Sequence, residues 1–197
     1  MTVILASASA ARRTLLEQAG VALTCHPATV DEGAIRQTAA IAGLTAAAVA
    51  RVLAARKAHQ VAAHHPGRVV IGADQMLECD GRWFDKPASL AQARDQLKAL
   101  RDRRHVLSSA VVVVRDGRVI WGCVEQARLT MRRFSDDFLD RYLAAAGEEV
   151  CRSVGAYRIE GLGLQLFTRV DGDHFVILGL PLLPLLDVLR QHGELAR

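Results

Sequence analysis

The stretch from residue 69 to residue 87 carries side chains suited to metal-dependent phosphate chemistry. Its apolar run, Val69–Ile71, reads as a buried strand and leads within a few residues to Asp74. A polar turn at Asp80–Gly81 then reverses the chain and brings back Lys86. A carboxylate at the end of a buried strand can bind a divalent cation, and a compact ammonium group beside it can bind a polyphosphate. The spacing therefore predicts a site for a metal and a phosphate chain.

The first twenty residues suggest an anion site where a strand meets a helix. Thr2–Ala6 reads as a buried strand, and Ser7 or Ser9 is expected to cap the helix that follows. Arg12 and Arg13 fall in the first turns of that helix, where a cation is unfavourable for the helix dipole. An anion bound by free backbone N–H groups and arginine side chains would offset this cost. A solvated arginine pair on an ordinary amphipathic helix explains the pattern equally well.

Three further charged residues become informative only in combination. Asp31 and Glu32 are expected in the loop after a second strand, where adjacent acids are usually just solvated. Together with Asp74, however, they would give a hard divalent cation several oxygen ligands. Lys57 falls late on a long alanine-rich helix, Thr45–His64, and its simplest interpretation is a surface lysine.

Strands and helices that could position these residues alternate along the chain. We expect strands at Thr2–Ala6, Val21–Pro27, Arg68–Ala73, His105–Arg115, Arg118–Met131 and His174–Leu178. Helices are expected before Gly20, at Thr45–His64, from Ser89 to Leu100, from Ser135 to Ala146, and finally up to about Gln191. The dipeptides Asp80–Gly81 and Asp116–Gly117 are typical of hairpin turns. This alternation with antiparallel hairpins predicts an α/β protein with a mixed sheet.

The composition argues against several classes of protein. Of the 197 residues, 51% are hydrophobic and 23% are charged, which is typical of a soluble globular protein. The net charge of +4 suits an anionic ligand, but no arginine run carries interleaved aromatic residues, so no nucleic-acid partner is expected. The most apolar segment, Phe175–Leu189, is interrupted by two prolines and an aspartate, so we expect no membrane span.

The cysteines and the first residues bear on localisation. The four cysteines are widely spaced and form no C-x-x-C pair, so a disulfide framework is not expected. The opening residues lack the charged and apolar regions of a signal peptide. Both observations predict a cytoplasmic protein, because free cysteines persist in a reducing compartment.

Seven short motifs occur in one order along the chain. They are LASASAARRTLLEQAG near the first residue, VDE (Val30–Glu32), ARKA around Lys57, IGADQ (Ile71–Gln75), KP (Lys86–Pro87), GAYRIEG (Gly155–Gly161) and GLPL (Gly179–Leu182). This ordered set resembles the Maf (septum-formation) nucleotide pyrophosphatases and makes residues 1–197 a single Maf-like domain. The resemblance implies an inosine-triphosphatase-like α/β fold, with a twisted mixed β-sheet flanked by helices and two lobes with a central cleft.

The resemblance also implies an activity and a set of site residues. A nucleoside triphosphate would be hydrolysed to its monophosphate and diphosphate with the help of a divalent cation, Mg, Mn or Co. Asp74 would be the general base and would bind the metal together with Glu32 and Asp31. The phosphates would be bound by Ser7, Arg12, Arg13, Lys57 and Lys86. The chemistry agrees with this assignment, because cleaving a phosphoanhydride mainly requires charge neutralisation and an aligned water.

Three positions, Ala11, Gln75 and Glu160, bear on which base is bound. Family members selective for dTTP and UTP typically carry Arg, Thr and Gln there, whereas a 7-methyl-GTP subgroup has Gln and Glu at the last two, as this chain does. A carboxylate at Glu160 could accept from both N1–H and the exocyclic amine of guanine. The alternative is a structural ion pair between Glu160 and an arginine such as Arg158. Ala11 matches neither subgroup.

Two classes of function follow from the resemblance. In the first, the chain is a pyrophosphatase that removes modified nucleotides before they enter nucleic acid. In the second, it regulates septation mainly by binding a partner, with catalysis secondary. A homodimer is expected by analogy with the family. The complete set of acids, lysines and arginines favours the enzyme, because a binding module would not need Asp74.

Overall fold

The computed structural model describes residues 2–196. In chain order the strands are β1 Val3–Leu5, β2 Leu23–Cys25, β3 Val70–Cys79, β4 Arg82–Phe84, β5 Arg104–Arg115, β6 Arg118–Met131 and β7 Phe167–Asp171. The α-helices are α1 Ala10–Gln18, α2 Glu32–Ile41, α3 Ala46–Ala62, α4 Leu90–Leu100, α5 Asp136–Ala146, α6 His174–Ile177 and α7 Leu182–Gln191. Short 3₁₀ helices occur at Gly147–Arg152, Val154–Ala156 and Leu162–Leu166.

The strands form a seven-stranded sheet in the order β2-β1-β3-β5-β6-β7, with β4 paired to β3. β1 is parallel to both β2 and β3, since Ile4 lies opposite Thr24 and Val70. β3 with β4, and β6 with β7, are antiparallel. The prediction of an α/β protein with a mixed sheet is therefore confirmed.

The described chain divides into two compact units. The first contains the residues up to Gln75, Ser108–Glu125 and the residues from Asp173 onwards. In its core, apolar side chains of α1 and α7 pack with those of β1, β3 and β5. The second unit contains Met76–Leu107 and Gln126–Gly172, and its fully buried side chains include Leu97, Leu107 and Leu139.

Short polar side chains begin most of the long helices. Ser9, Thr45, Ser89 and Ser135 cap α1, α3, α4 and α5, and each accepts a hydrogen bond from the backbone N–H three residues later. This bond satisfies one of the N–H groups that the first helical turn leaves without a partner. These four helices lie close to where the sequence predicts them.

Two predicted elements are wrong because aspartates start helices there. Asp173 accepts from the N–H groups of Phe175 and Val176 at 2.8 and 3.1 Å, so the predicted strand at His174–Leu178 is the short helix α6. Asp31 accepts from the Ala34 N–H at 3.0 Å and begins α2, so Glu32 is helical rather than part of a loop. Aspartate favours both caps and turns, which makes such starts ambiguous from sequence.

The closing helix, α7, ends at Gln191 as predicted and follows Pro181. Leu185 and Leu189 are fully buried in the core of the first unit. Of the helices in the part of the chain that the structure describes, none is long and apolar enough to cross a membrane.

Candidate active site

The predicted acid and lysine meet where β3 packs closely against α3. A Cβ atom on Gly72 would lie 2.1 Å from the Ala54 carbonyl oxygen and 2.8 Å from the Ala58 nitrogen. A side chain at this position would therefore force the helix away from the strand. The close approach brings Lys57, just before Ala58, beside Asp74, two residues after Gly72.

Lys57 is bound by two carboxylates. Its Nζ lies 2.6 Å from Asp74 Oδ1 and 2.6 Å from Glu32 Oε1. Lys57 is only 8% exposed and Asp74 only 4% exposed, so the interpretation of a surface lysine is wrong. Arg36 Nη1 adds a second ion pair to Glu32, at 3.2 Å. The site thus has two negative and two positive groups in contact.

Asp74 has the properties of a general base. Burial raises the pKa of its carboxyl, while the positive charges of Lys57 and Arg12 oppose that rise. Its second oxygen, Oδ2, is buried and has no hydrogen-bond partner among the residues described. A carboxylate with a raised pKa and an oxygen without a partner can take a proton from a water bound next to it.

Glu32 differs from Asp74 in its ionisation. Burial alone would raise the pKa of Glu32, but its hydrogen bonds and ion pairs with Lys57 and Arg36 outweigh that effect and lower the pKa below the ordinary value. Two neighbouring carboxylates with opposite pKa shifts can take different roles. The lowered pKa of Glu32 favours its charged form, which suits a ligand role, while the raised pKa of Asp74 suits proton transfer.

The acids at this site fit a divalent cation that also binds substrate phosphates. Mg²⁺ is normally held by one or two carboxylates together with phosphate oxygens and water. Glu32, whose two oxygens contact Lys57 and Arg36, and Asp74 supply the two carboxylates of that donor set. Between residues 2 and 196, no group of three or more His, Cys, Asp or Glu residues is arranged to hold a metal. Asp31 uses its Oδ1 to cap α2, and its role as a metal ligand stays a prediction.

Arg12 joins three parts of the first unit. Its Nε donates to the Gly179 carbonyl at 2.8 Å, and its Nη1 donates to the Ala73 carbonyl at 2.9 Å and to Ser7 Oγ at 3.2 Å. Burial lowers the pKa of this guanidinium, although the nearby carboxylates oppose the shift. These bonds fix Arg12 beside the backbone of residue 73, immediately before Asp74. Ser7 and Arg12 are thus in contact, and their roles in binding phosphate stay predictions.

Other predicted residues lie on exposed surfaces. Arg13 forms an ion pair with Glu17 at 3.7 Å on the solvent side of α1, and Ala11 is exposed on the same helix. Lys86 belongs to the second unit, on an exposed stretch between β4 and α4. Their roles in binding phosphate or base stay predictions.

Gln75 binds the end of α6 together with a serine that the sequence analysis missed. Gln75 Nε2 donates to Ser109 Oγ at 2.9 Å and to the carbonyls of Val176 and Ile177, both at 3.1 Å. Ser109 Oγ in turn donates to the Val176 carbonyl at 2.7 Å. The signal for Ser109 was a hydroxyl beside the apolar run Ala110–Val114, where a buried polar group needs a partner. The predicted role of Gln75 in base selectivity stays a prediction.

Glu160 lies in the second unit and is paired with an arginine. Its Oε1 is 3.1 Å from Arg158 Nη2, and Arg158 Nη1 is also 3.4 Å from Glu149 Oε2. The ion pair that the sequence left open as an alternative is therefore present. The ion pair leaves part of the Glu160 side chain exposed to solvent, since 36% of that side chain is accessible.

A family model and curated relatives match nearly the whole chain. A family model described as Maf-like protein matches residues 2–192. A nucleoside triphosphate pyrophosphatase of Paramagnetospirillum magneticum is 59% identical, covering 98% of this chain and 99% of that protein. A 7-methyl-GTP pyrophosphatase of Rhizobium etli is 48% identical, covering 98% and 96%. The solved structure of a nucleoside-triphosphatase/dITP/XTP pyrophosphatase from Mycobacterium abscessus is 17% identical with a TM-score of 0.41, covering 98% and 94%.

Proposed function

The chain belongs to the Maf family, and from that membership we propose that it is a nucleoside triphosphate pyrophosphatase that needs a divalent cation and prefers 7-methyl-GTP. The observation that carries the proposal is the buried Asp74, whose Oδ1 is held by Lys57 while its Oδ2 has no partner among the described residues. Removing a modified nucleotide in this way would prevent its incorporation into nucleic acid.

The reaction follows from the two oxygens of Asp74. The oxygen of a water attacks the α-phosphorus, the bond from that phosphorus to the α–β bridging oxygen breaks, and diphosphate leaves. The water proton passes to Asp74 Oδ2, which has no hydrogen-bond partner among the described residues while Lys57 holds Oδ1. General-base catalysis of this kind contributes about 10²- to 10⁴-fold to a rate.

The remaining residues of the proposal bind charge. Glu32 and Asp74 would hold the divalent cation, Mg, Mn or Co, which when bound neutralises charge on the phosphates. Ser7, Arg12, Arg13, Lys57 and Lys86 are the proposed phosphate ligands, with Asp31 as a further metal ligand. Arg12 and Lys57 place two positive charges close to Asp74, where negative charge on the substrate has to be offset.

Base selectivity is proposed to depend chiefly on Glu160. A carboxylate can accept two hydrogen bonds from the Watson–Crick edge of guanine, and it attracts the positive charge of a 7-methylated base. Arg158 contacts one oxygen of Glu160 and so restricts the orientation of the carboxylate. Gln75 and Ala11 complete the proposed set of selectivity positions.

A substrate panel tests this proposal. The unmodified protein is offered 7-methyl-GTP, GTP, dTTP, UTP and CTP with Mg²⁺, Mn²⁺ or Co²⁺, and diphosphate release is measured. We expect the highest kcat/KM for 7-methyl-GTP, and Glu160→Gln should lower that value about tenfold, the effect of one good hydrogen bond to a charged group. Glu149→Gln, which removes the other acid paired with Arg158, is the matched control. A clear preference for dTTP and UTP would replace the proposal by the pyrimidine type of the same family.

We also propose a cytoplasmic location. Cys25, Cys79, Cys123 and Cys151 are all free in the structure, which supports a reducing compartment. The homodimer and the lack of a nucleic-acid partner stay predictions.

A further inference from the structure

The segment from His26 to Asp31, which we call the strap, has no regular secondary structure and leads directly into Glu32 at the start of α2. Gln60 of α3 binds the middle of the strap through both ends of its amide. Gln60 Oε1 accepts from the Thr29 N–H at 2.9 Å. Gln60 Nε2 donates to Thr29 Oγ1 at 3.0 Å and to the Thr29 carbonyl at 3.4 Å. One side chain therefore holds three polar groups of a single strap residue.

The spacing of these contacts links Gln60 to the candidate site. Thr29 precedes Glu32 by three residues, and Gln60 follows Lys57 by three residues, so both α3 side chains lie on one face of the helix. Glu32 contacts Lys57 while Thr29 contacts Gln60, so the chain from Thr29 to Glu32 runs antiparallel to α3. Fixing Thr29 thus limits the positions that the Glu32 carboxylate can reach.

A second contact fastens the other end of the strap. His26 Nδ1 and His65 Nε2 are 2.7 Å apart, and His65 lies just beyond the end of α3. His26 also continues from β2, where its N–H donates to the Leu5 carbonyl at 3.0 Å. The other end of the strap is held by Asp31, which caps α2, so Gln60 binds the strap between two fixed ends.

We propose that Gln60 is a positioning residue that holds Glu32 ready to bind the divalent cation. Without the Gln60 bonds, Glu32 would still meet Lys57, but from a strap with more conformations, so part of the free energy of metal binding would go into ordering it. The inference rests on the proposed function, because it assigns Glu32 to the cation of the pyrophosphatase. It adds that the affinity for the cation depends partly on Gln60, a residue that does not itself bind the metal.

The first test is independent of catalysis. In Gln60→Ala, amide hydrogen exchange of Thr29 should become about tenfold faster, and binding of Mn²⁺ to the protein saturated with a non-hydrolysable triphosphate analogue should weaken about tenfold, as expected for loss of two or three exposed hydrogen bonds. Gln37→Ala is the matched control, because Gln37 is exposed on α2 and is not part of these contacts. Unchanged Mn²⁺ binding in Gln60→Ala would overturn the inference.

The second test asks whether Gln60 acts through Glu32. In the active enzyme, Gln60→Ala should raise the Mn²⁺ concentration for half-maximal activity about tenfold and leave kcat at saturating Mn²⁺ nearly unchanged. Gln60→Glu keeps an acceptor for the Thr29 N–H and should give a smaller effect. In a Glu32→Gln background, adding Gln60→Ala should change little, because the residue it positions is gone. If Gln60→Ala raised the Mn²⁺ concentration for half-maximal activity as much in the Glu32→Gln background as in the unmodified protein, Gln60 would not act through Glu32 and the inference would be overturned.

The two proposals can fail separately. A protein without diphosphate release from any triphosphate would contradict the proposed function, while Mn²⁺ binding and hydrogen exchange would still decide the role of Gln60.

Discussion

Lys57 carries the positive charge that Asp74 and Glu32 share at the candidate site. Its Nζ is 2.6 Å from each carboxylate, and its ion pairs lower the pKa of Glu32 and oppose the rise in the pKa of Asp74. The lysine contacts only Oδ1 of Asp74, and the buried Oδ2 has no hydrogen-bond partner among the described residues. A single residue therefore controls both the ionisation and the orientation of the acids.

Removing this charge should change the pH dependence as well as the rate. In Lys57→Met the pKa of Asp74 should rise further, because burial and the charge of Glu32 both favour the protonated acid. The acid limb of kcat/KM should therefore move to higher pH by about one unit or more, with a loss of about 10² in rate at pH 7. The measurement is diphosphate release as a function of pH.

A matched lysine is available as a control for this variant. Lys98 pairs with Asp136 at 2.8 Å on the surface of the second unit, so Lys98→Met should leave the pH profile unchanged. An acid limb in Lys57→Met that coincides with that of the unmodified protein would show that Asp74 is not the titrating base.

At the scale of elements, the packing of α3 on β3 brings the site together. Gly72 is the contact that permits it, since any side chain would overlap the backbone of Ala54 and Ala58. Asp74 and Lys57 can both be singled out from the sequence, but their contact cannot. The two residues are seventeen positions apart, and they meet only because α3 packs against β3. The burial of Lys57 was missed for the same reason.

The starts of the helices differ in how well they can be predicted from the local sequence. The serine and threonine caps of α1, α3, α4 and α5 precede long apolar patterns, so sequence and structure agree there. Asp31 and Asp173 start helices whose patterns are weaker or too short to recognise, and both were interpreted otherwise. The Gln60–Thr29 bonds carry no local signal at all, since a polar residue on a helix is usually just solvated.

A buried histidine in the second unit should make stability depend on pH. His105 is 1% exposed, its Nε2 is 2.7 Å from the Tyr157 hydroxyl, and burial lowers its pKa from 6.5 to about 4. Because the folded state resists protonation, stability should be fully present above pH 6.5 and should fall as the pH drops towards 4. The lowering of the His105 pKa from 6.5 to about 4 corresponds to a loss of about 3 kcal/mol in the free energy of unfolding once the pH is below both values.

Urea unfolding at pH 7 and at pH 4.5 measures this loss. His105→Gln can keep a hydrogen bond to Tyr157 but does not titrate, so its stability should change much less between these pH values. His192→Gln, at an exposed position, should behave as the unmodified protein does. Equal losses in His105→Gln and the unmodified protein would assign the acid sensitivity to other groups.

At the scale of the whole molecule, the seven-stranded mixed sheet contains strands of both units. The first unit holds Ser7, Arg12, Glu32, Lys57 and Asp74. The sequence predicted most of these elements and all of these residues, because motif order and caps are local features. Their hydrogen bonds and burial became visible only with the fold.

The most direct test of the central claim is diphosphate release by Asp74→Asn. Asparagine keeps the size of the side chain but cannot take the proton, so the rate with 7-methyl-GTP and Mg²⁺ should fall by about 10³ or more, while nucleotide binding stays within about threefold. Thermal stability should not fall, because the pKa of Asp74 is raised and its ionised form is costly to bury. Full turnover by a folded Asp74→Asn protein that binds nucleotide would contradict the assignment of Asp74 as the general base.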